Sequence, residues 1–109
     1  MSEPNETYGS IYGIFFPNGK VYIGLTTTSL KKRKQSHLHC VRDTDNNKCL
    51  YKALRKYDMV NSFELIEIDT ADTEQELCEK EITYILMYNS HYIDGNGYNM
   101  TYGGELTIG

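Results

Sequence analysis

The 109-residue chain has no tryptophan, only two prolines and only three cysteines. It has no run of about 18 apolar residues, so no segment reads as a membrane-crossing helix. The first ten residues, MSEPNETYGS, are acidic and polar, which is not the pattern of a secretory signal. Cys40, Cys49 and Cys78 are odd in number and widely spaced. That argues against a disulfide framework, and no CxxC or Cys/His spacing suits zinc. The expectation is idle thiols in an intracellular, reducing compartment. Repeats, low-complexity segments and linkers are also absent, and the length suits one domain with a modest core. Residues 1–9 read as a flexible tail and 10–109 as a single domain.

One sign of charge is scarce in half of the chain. Residues 57–109 hold one cation, Lys80, against eleven acids, whereas residues 1–56 hold ten Lys/Arg against four acids. The net charge of −4 therefore hides a polarised molecule. Such a molecule can present a basic face to a polyanion despite an acidic total.

The segment SIYGIFFPNGKVYIG, residues 10–24, reads as a hairpin with strands over 10–16 and 20–25. Its glycines need a reason, because glycine weakens a strand interior. The loop length decides which way its tyrosines face. A two-residue turn at Asn18-Gly19 puts Tyr12 and Tyr22 on opposite faces. A three-residue loop, Pro17-Asn18-Gly19, with Gly19 left-handed, pairs Phe16 with Lys20, Ile14 with Tyr22 and Tyr12 with Gly24. We prefer the second register. It puts both tyrosines on one face and leaves a gap at Gly24 where a ligand backbone approaches.

Further along, residues 29–42 read as a helix capped by Ser29. Residues 43–47 form a loop, and 48–57 a second helix with Leu50, Leu54 and Tyr57 inward. Residues 63–69 alternate as a strand with Phe63, Leu65 and Glu67 on one face. Thr73 to Glu76 is a capping box that opens a last helix to about Asn89. The fold class is α+β, a small three-stranded, mainly antiparallel sheet flanked by helices in the order β-β-α-α-β-α.

On the last helix Glu81 falls in the apolar stripe formed by Leu77, Cys78, Tyr84, Ile85 and Tyr88. A buried carboxylate costs several kcal/mol unless it is paired or binds a metal. Pairing with Arg33, capping by tyrosine hydroxyls and metal binding all remain open from spacing. Arg33 and His37, four residues apart, share a face of the first long helix.

These pieces together resemble the GIY-YIG nuclease domain. The first motif stands as Ser10-Ile11-Tyr12 and the second as Tyr22-Ile23-Gly24. The helix arginine and histidine match Arg33 and His37 in LKKRKQSHL, the glutamate matches Glu81 in EKEITYI, and the late asparagine matches Asn99 in GYN. The resemblance covers about residues 8–102. Ser10 replaces a glycine, and Lys34 stands where many relatives have tryptophan. Some relatives carry a histidine near the position of Asp45.

The resemblance implies a metal-dependent endonuclease acting on double-stranded DNA, of homing or mobile-element type. Glu81 would hold Mg²⁺ or Mn²⁺. Tyr12 would be the general base, assisted by His37. Arg33 would stabilise phosphoryl charge, Tyr22 would orient phosphate or water, and Asn99 would support the site. Lys31, Lys32, Lys34, Arg42, Lys52, Arg55 and Lys56 would lie along the DNA backbone. The rival readings are a non-catalytic nucleic-acid binding module on the same scaffold, a restriction or repair nuclease, and a protein-interaction domain.

Overall fold

The computed structural model describes residues 7–103, apart from Thr44, Asn47 and Asp94. Six elements follow in the expected order: β1 (Gly9–Phe15), β2 (Val21–Thr26), α1 (Leu30–Arg42), α2 (Cys49–Lys56), β3 (Ile66–Ala71) and α3 (Glu74–Tyr88). The three strands form one antiparallel sheet in the order β2-β1-β3. Residues 1–6 of the expected tail, and 104–109 of the expected domain, lie outside the described residues. β1 begins one residue before the expected boundary, and the Tyr8 N–H already bonds the Ala71 carbonyl.

The hairpin adopts the three-residue register. Tyr12 pairs with Gly24 and Ile14 with Tyr22. The Phe16 N–H bonds Lys20 O at 3.0 Å, and Gly19 closes the turn with φ 87°. A left-handed residue there suits glycine, and the register that follows from it sends alternate side chains to opposite faces. Tyr12, Ile14 and Tyr22 point to one face. Ile11, Ile23, Leu25 and Val21 point to the other.

Each face is covered by helix. Against the first, α1 and α2 bring Val41, Leu50, Tyr51, Ala53 and Leu54 onto Tyr12, Ile14 and Phe16, with Phe63 and Leu65 closing the cluster. Against the second, α3 brings Leu77 and Ile85 onto Ile11, Val21, Ile23 and Leu25. The sheet is thus the middle of three layers. Helix starts follow their caps: Ser29 accepts from Lys32 N and Thr73 from Glu76 N, both at 3.1 Å. Glu76 reaches back to Asp72 N at 2.8 Å. Asn89 ends α3 in the left-handed conformation, with φ 54°.

Two expectations change here. The third strand was placed at 63–69, but Phe63 and Leu65 precede it. β3 starts at Ile66, and its pairing slips between Ile11 and Tyr12, leaving Ile68 as an extra residue. That bulge turns Asp69 to the α3 face, where Tyr84 donates to it at 2.8 Å and Lys80 pairs with it at 3.2 Å. Glu67 shares the expected face but is exposed. The apolar stripe of α3 is also narrower than its sequence suggests. Leu77 and Ile85 are buried, whereas Glu81 is only half-buried and Tyr88 is exposed. Glu81 stands at the border of the covered face, so the cost of a fully buried carboxylate does not arise.

Candidate active site

The last described residues close the sheet edge beside this border. Tyr98 N–H bonds the Val21 carbonyl. Asn99 then acts like an extra strand partner for β2. Its Oδ1 accepts from Ile23 N–H at 2.8 Å, and its Nδ2 donates to Ile23 O at 2.7 Å. Ser90 Oγ donates to the same Oδ1 at 2.7 Å. Asn99 is buried, its Oδ1 accepting twice and its Nδ2 donating to Ile23 O, so it holds the polypeptide after α3 against β2. Its part in the site is to fix where α3 and residues 98–103 stand relative to Tyr22.

That closure leaves a cavity of about 600 Å³ between β2, α1, α2, α3 and residues 98–103. Tyr22, Arg33, Tyr51, Glu81 and Asn99 line it, together with Ser36, Cys40, Lys48 and Gly103. Gly103, with φ 86°, lies so close to Glu81 that a Cβ there would stand 2.8 Å from Oε1. Arg33 and Glu81, which come from helices on opposite faces of the sheet, meet at this one opening.

Tyr12 lies behind the cavity wall and is 0 % exposed. Its hydroxyl is where α1 converges: His37 Nε2 stands 2.7 Å from Oη, and Arg33 Nε–H donates to it at 3.1 Å. The Tyr12 and Tyr22 rings are 6.4 Å apart, centroid to centroid. Burial lifts the Tyr12 phenol above its ordinary range; neighbouring Tyr22 adds to this and the Arg33 charge opposes it. Burial also raises Tyr22, with Arg33 opposing and Glu81 reinforcing. His37 is 1 % exposed, and burial, then the positive charges of Arg33 and Lys48, push its imidazole down to about 3. His37 is therefore a neutral ring at ordinary pH, with one bare nitrogen. Its other nitrogen, Nδ1, stands 2.9 Å from Tyr51 Oη.

The gap expected beside Tyr12 is filled. A Cβ on Gly24 would stand 2.5 Å from Tyr12 Oη and 2.9 Å from Cε1. Gly24 makes room for the Tyr12 ring itself, not for a ligand backbone.

Not every expected DNA contact stands free. Arg55 donates to the carbonyls of Val41, Asp43 and Asn46 at 2.6 to 3.0 Å and thereby ties α2 to the end of α1. Lys34 pairs with Glu64 at 3.4 Å and lies 5.5 Å above the Phe63 ring. Lys31, Lys32, Arg42, Lys52 and Lys56 are exposed. Sequence reasoning missed Tyr51 and Lys48. Lys48 is the residue before α2 and reaches the cavity. Tyr51 looked like a core residue beside Leu50 and Leu54, and nothing in its spacing marks it as the partner of His37.

As a metal site, the cavity offers one acidic side chain. Among the described residues no group of three or more His, Cys, Asp and Glu stands together. That donor set does not suit zinc. It fits a hard ion such as Mg²⁺, which keeps several waters and is held by one or two carboxylates plus substrate phosphate.

The GIY-YIG catalytic domain is the family description whose pattern matches this chain, over residues 8–99. No curated protein and no solved structure matches it.

Proposed function

The chain belongs to the GIY-YIG family of nucleases, and from that premise we propose that it is a Mg²⁺-dependent DNA endonuclease, the catalytic domain of a homing or mobile-element enzyme. The observation that supports this most is the meeting of groups at one opening. Arg33 lines the cavity and touches the Tyr12 hydroxyl, Glu81 and Tyr22 share the same cavity, and His37 backs Tyr12. A binding module needs no base, no proton acceptor behind it and no carboxylate in the same cavity as the arginine.

In this reading the scissile phosphate enters between Arg33 and Glu81. Arg33, a cation at any working pH, stabilises the charge that builds on the phosphoryl oxygens. Glu81 would hold Mg²⁺, which when bound polarises the phosphate and assists the leaving oxygen. Tyr12 Oη takes a proton from the attacking water and passes its own hydroxyl proton to His37 Nε2. Burial makes a free phenolate costly, and burial with the Arg33 and Lys48 charges makes a lasting imidazolium costly too, so the proton rests on His37 only while the water attacks. Tyr22 orients the water or phosphate. Exposed Lys31, Lys32, Arg42, Lys52 and Lys56 place the duplex by backbone contact, in which case affinity falls steeply with salt.

The burial of Tyr12 favours one second reading. Tyr22 is the tyrosine that reaches the cavity, so Tyr22 takes the water's proton and Tyr12 only positions Arg33. Tyr22→Phe then loses the larger share of the rate. The reaction class is tested with duplex DNA and Mg²⁺ in ¹⁸O-labelled water. Hydrolysis puts the label on a new terminal phosphate. DNA that is bound but stays intact would favour the non-catalytic module.

A further inference from the structure

Both ring nitrogens of His37 face a phenol, Tyr12 at Nε2 and Tyr51 at Nδ1, at 2.7 and 2.9 Å. Either phenol can donate or accept, so two arrangements of the chain are possible on distance alone. Arg33 removes the ambiguity. Its guanidinium only donates, and its Nε–H already points at Tyr12 Oη. If His37 carried its proton on Nε2, Tyr12 Oη would accept two hydrogen bonds and its own hydroxyl hydrogen would be a buried donor with no acceptor. At a ring that is 0 % exposed no solvent can take that hydrogen, so this arrangement is strongly disfavoured. If the proton is on Nδ1, every group is satisfied: Arg33 donates to Tyr12, Tyr12 donates to His37 Nε2, and His37 Nδ1–H donates to Tyr51. Tyr51 is itself buried. The hydrogens therefore all point one way, from Arg33 through Tyr12 and His37 towards Tyr51.

We propose that Tyr51 is a positioning residue for strand cleavage: by accepting Nδ1–H it holds His37 in the tautomer whose bare Nε2 receives the Tyr12 proton. The inference rests on the shuttle described above, but its structural half stands apart from activity. Tyr51 comes from α2, which otherwise supplies only core and surface. This gives a reason for a hydroxyl at a position where phenylalanine would fill the same space. The proton step is balanced. The water O–H bond breaks as Tyr12 Oη–H forms, Tyr12 gives up its original hydrogen to Nε2, and Nδ1–H stays bonded to Tyr51, which disperses the charge that appears on the ring.

The test is Tyr51→Phe, with two readouts. Nitrogen NMR of ¹⁵N-histidine-labelled protein reads the tautomer directly. The wild type is expected to show His37 protonated on Nδ1 alone, and Tyr51→Phe a mixture, because with phenylalanine at 51 either tautomer strands one buried donor, Nδ1–H or the Tyr12 hydroxyl. In cleavage assays kcat is expected to fall about 10- to 100-fold with KM unchanged, as when a residue that orients a metal-bound histidine is removed. Wild-type protein with the proton on Nε2 would overturn the proposal without any variant. So would Tyr51→Phe protein that keeps the Nδ1–H form and the full rate. A tautomer that shifts as expected in a chain that cuts no DNA would support the hydrogen-bond direction and sink the endonuclease reading instead.

Discussion

Gly24→Ala isolates the steric logic of the paired motifs. Gly24 is not in the left-handed region. On backbone grounds alone, alanine would stabilise the chain by about 0.4–1 kcal/mol through the unfolded state. The added methyl instead meets Tyr12, 2.5 Å from Oη and 2.9 Å from Cε1. The ring is 0 % exposed, so it cannot swing into solvent. Moving it within the core pulls Oη away from His37 and Arg33, now 2.7 and 3.1 Å distant. Overpacking costs about 1–3 kcal/mol, and a lost hydrogen bond to a charged group about 1.5–3 more. The net expectation, after the backbone gain, is a loss of about 1.5–5.5 kcal/mol, or roughly 6–25 °C in Tm for a domain near this size. Urea unfolding measures it. The double variant Tyr12→Ala/Gly24→Ala separates clash from backbone. With the ring gone, the glycine change should cost less than about 0.5 kcal/mol, so the two effects fail to add. A Gly24→Ala protein as stable as the wild type and fully active would mean that the Tyr12 ring does not need the space at Gly24.

Glu81→Gln should leave stability within about 0.5 kcal/mol, because the side chain is half-buried at a cavity border, yet end Mg²⁺-dependent nicking; melting curves and plasmid assays on one preparation check both. Asn99→Ala strips the Ile23 N–H and carbonyl of their partners and should cost about 1–3 kcal/mol in urea unfolding. His37 gives a pH signature. Its folded imidazole is pushed down to about 3 by burial, Arg33 and Lys48. Unfolded histidine titrates near ~6.5, so below that the unfolded chain binds one more proton. Stability is then highest above about 6.5 and falls as pH drops towards the folded value, by up to ~1.4 kcal/mol per unit. Urea unfolding between about pH 6.5 and 5 should show that slope reduced by one proton in His37→Gln.

Much of this architecture is legible in the sequence because local chemistry decides it. Pro17-Asn18-Gly19 fixes the hairpin register, and the register alone puts Tyr12 opposite Gly24. Ser29 and Thr73 mark helix starts, and the helical spacing of Arg33 and His37 is enough to bring both to one phenol oxygen. What escaped depends on long-range packing. A gap opposite a tyrosine looks the same in sequence whether a ligand or the ring itself fills it. The half-burial of Glu81 follows from where residues 98–103 wrap β2, which α3 periodicity does not encode. Arg55 has the spacing of a surface cation, but the end of α1 turns three carbonyls towards it. Tyr51 is hidden for the same reason, because its role exists only once α1 and α2 are packed.

In the proposed mechanism Tyr12, with Arg33 and His37 at its hydroxyl, drives metal-assisted strand cleavage. Supercoiled plasmid incubated with wild type and Tyr12→Phe, each with Mg²⁺ or with EDTA, puts this to the test. Wild type in Mg²⁺ should convert supercoiled DNA to nicked and linear forms and do nothing in EDTA. The phenylalanine variant, folded by melting curve, should be slower by ~10²-fold or more, the lower range for loss of a general base. Equal nicking by the two proteins, or wild-type cleavage undiminished in EDTA, would contradict the claim.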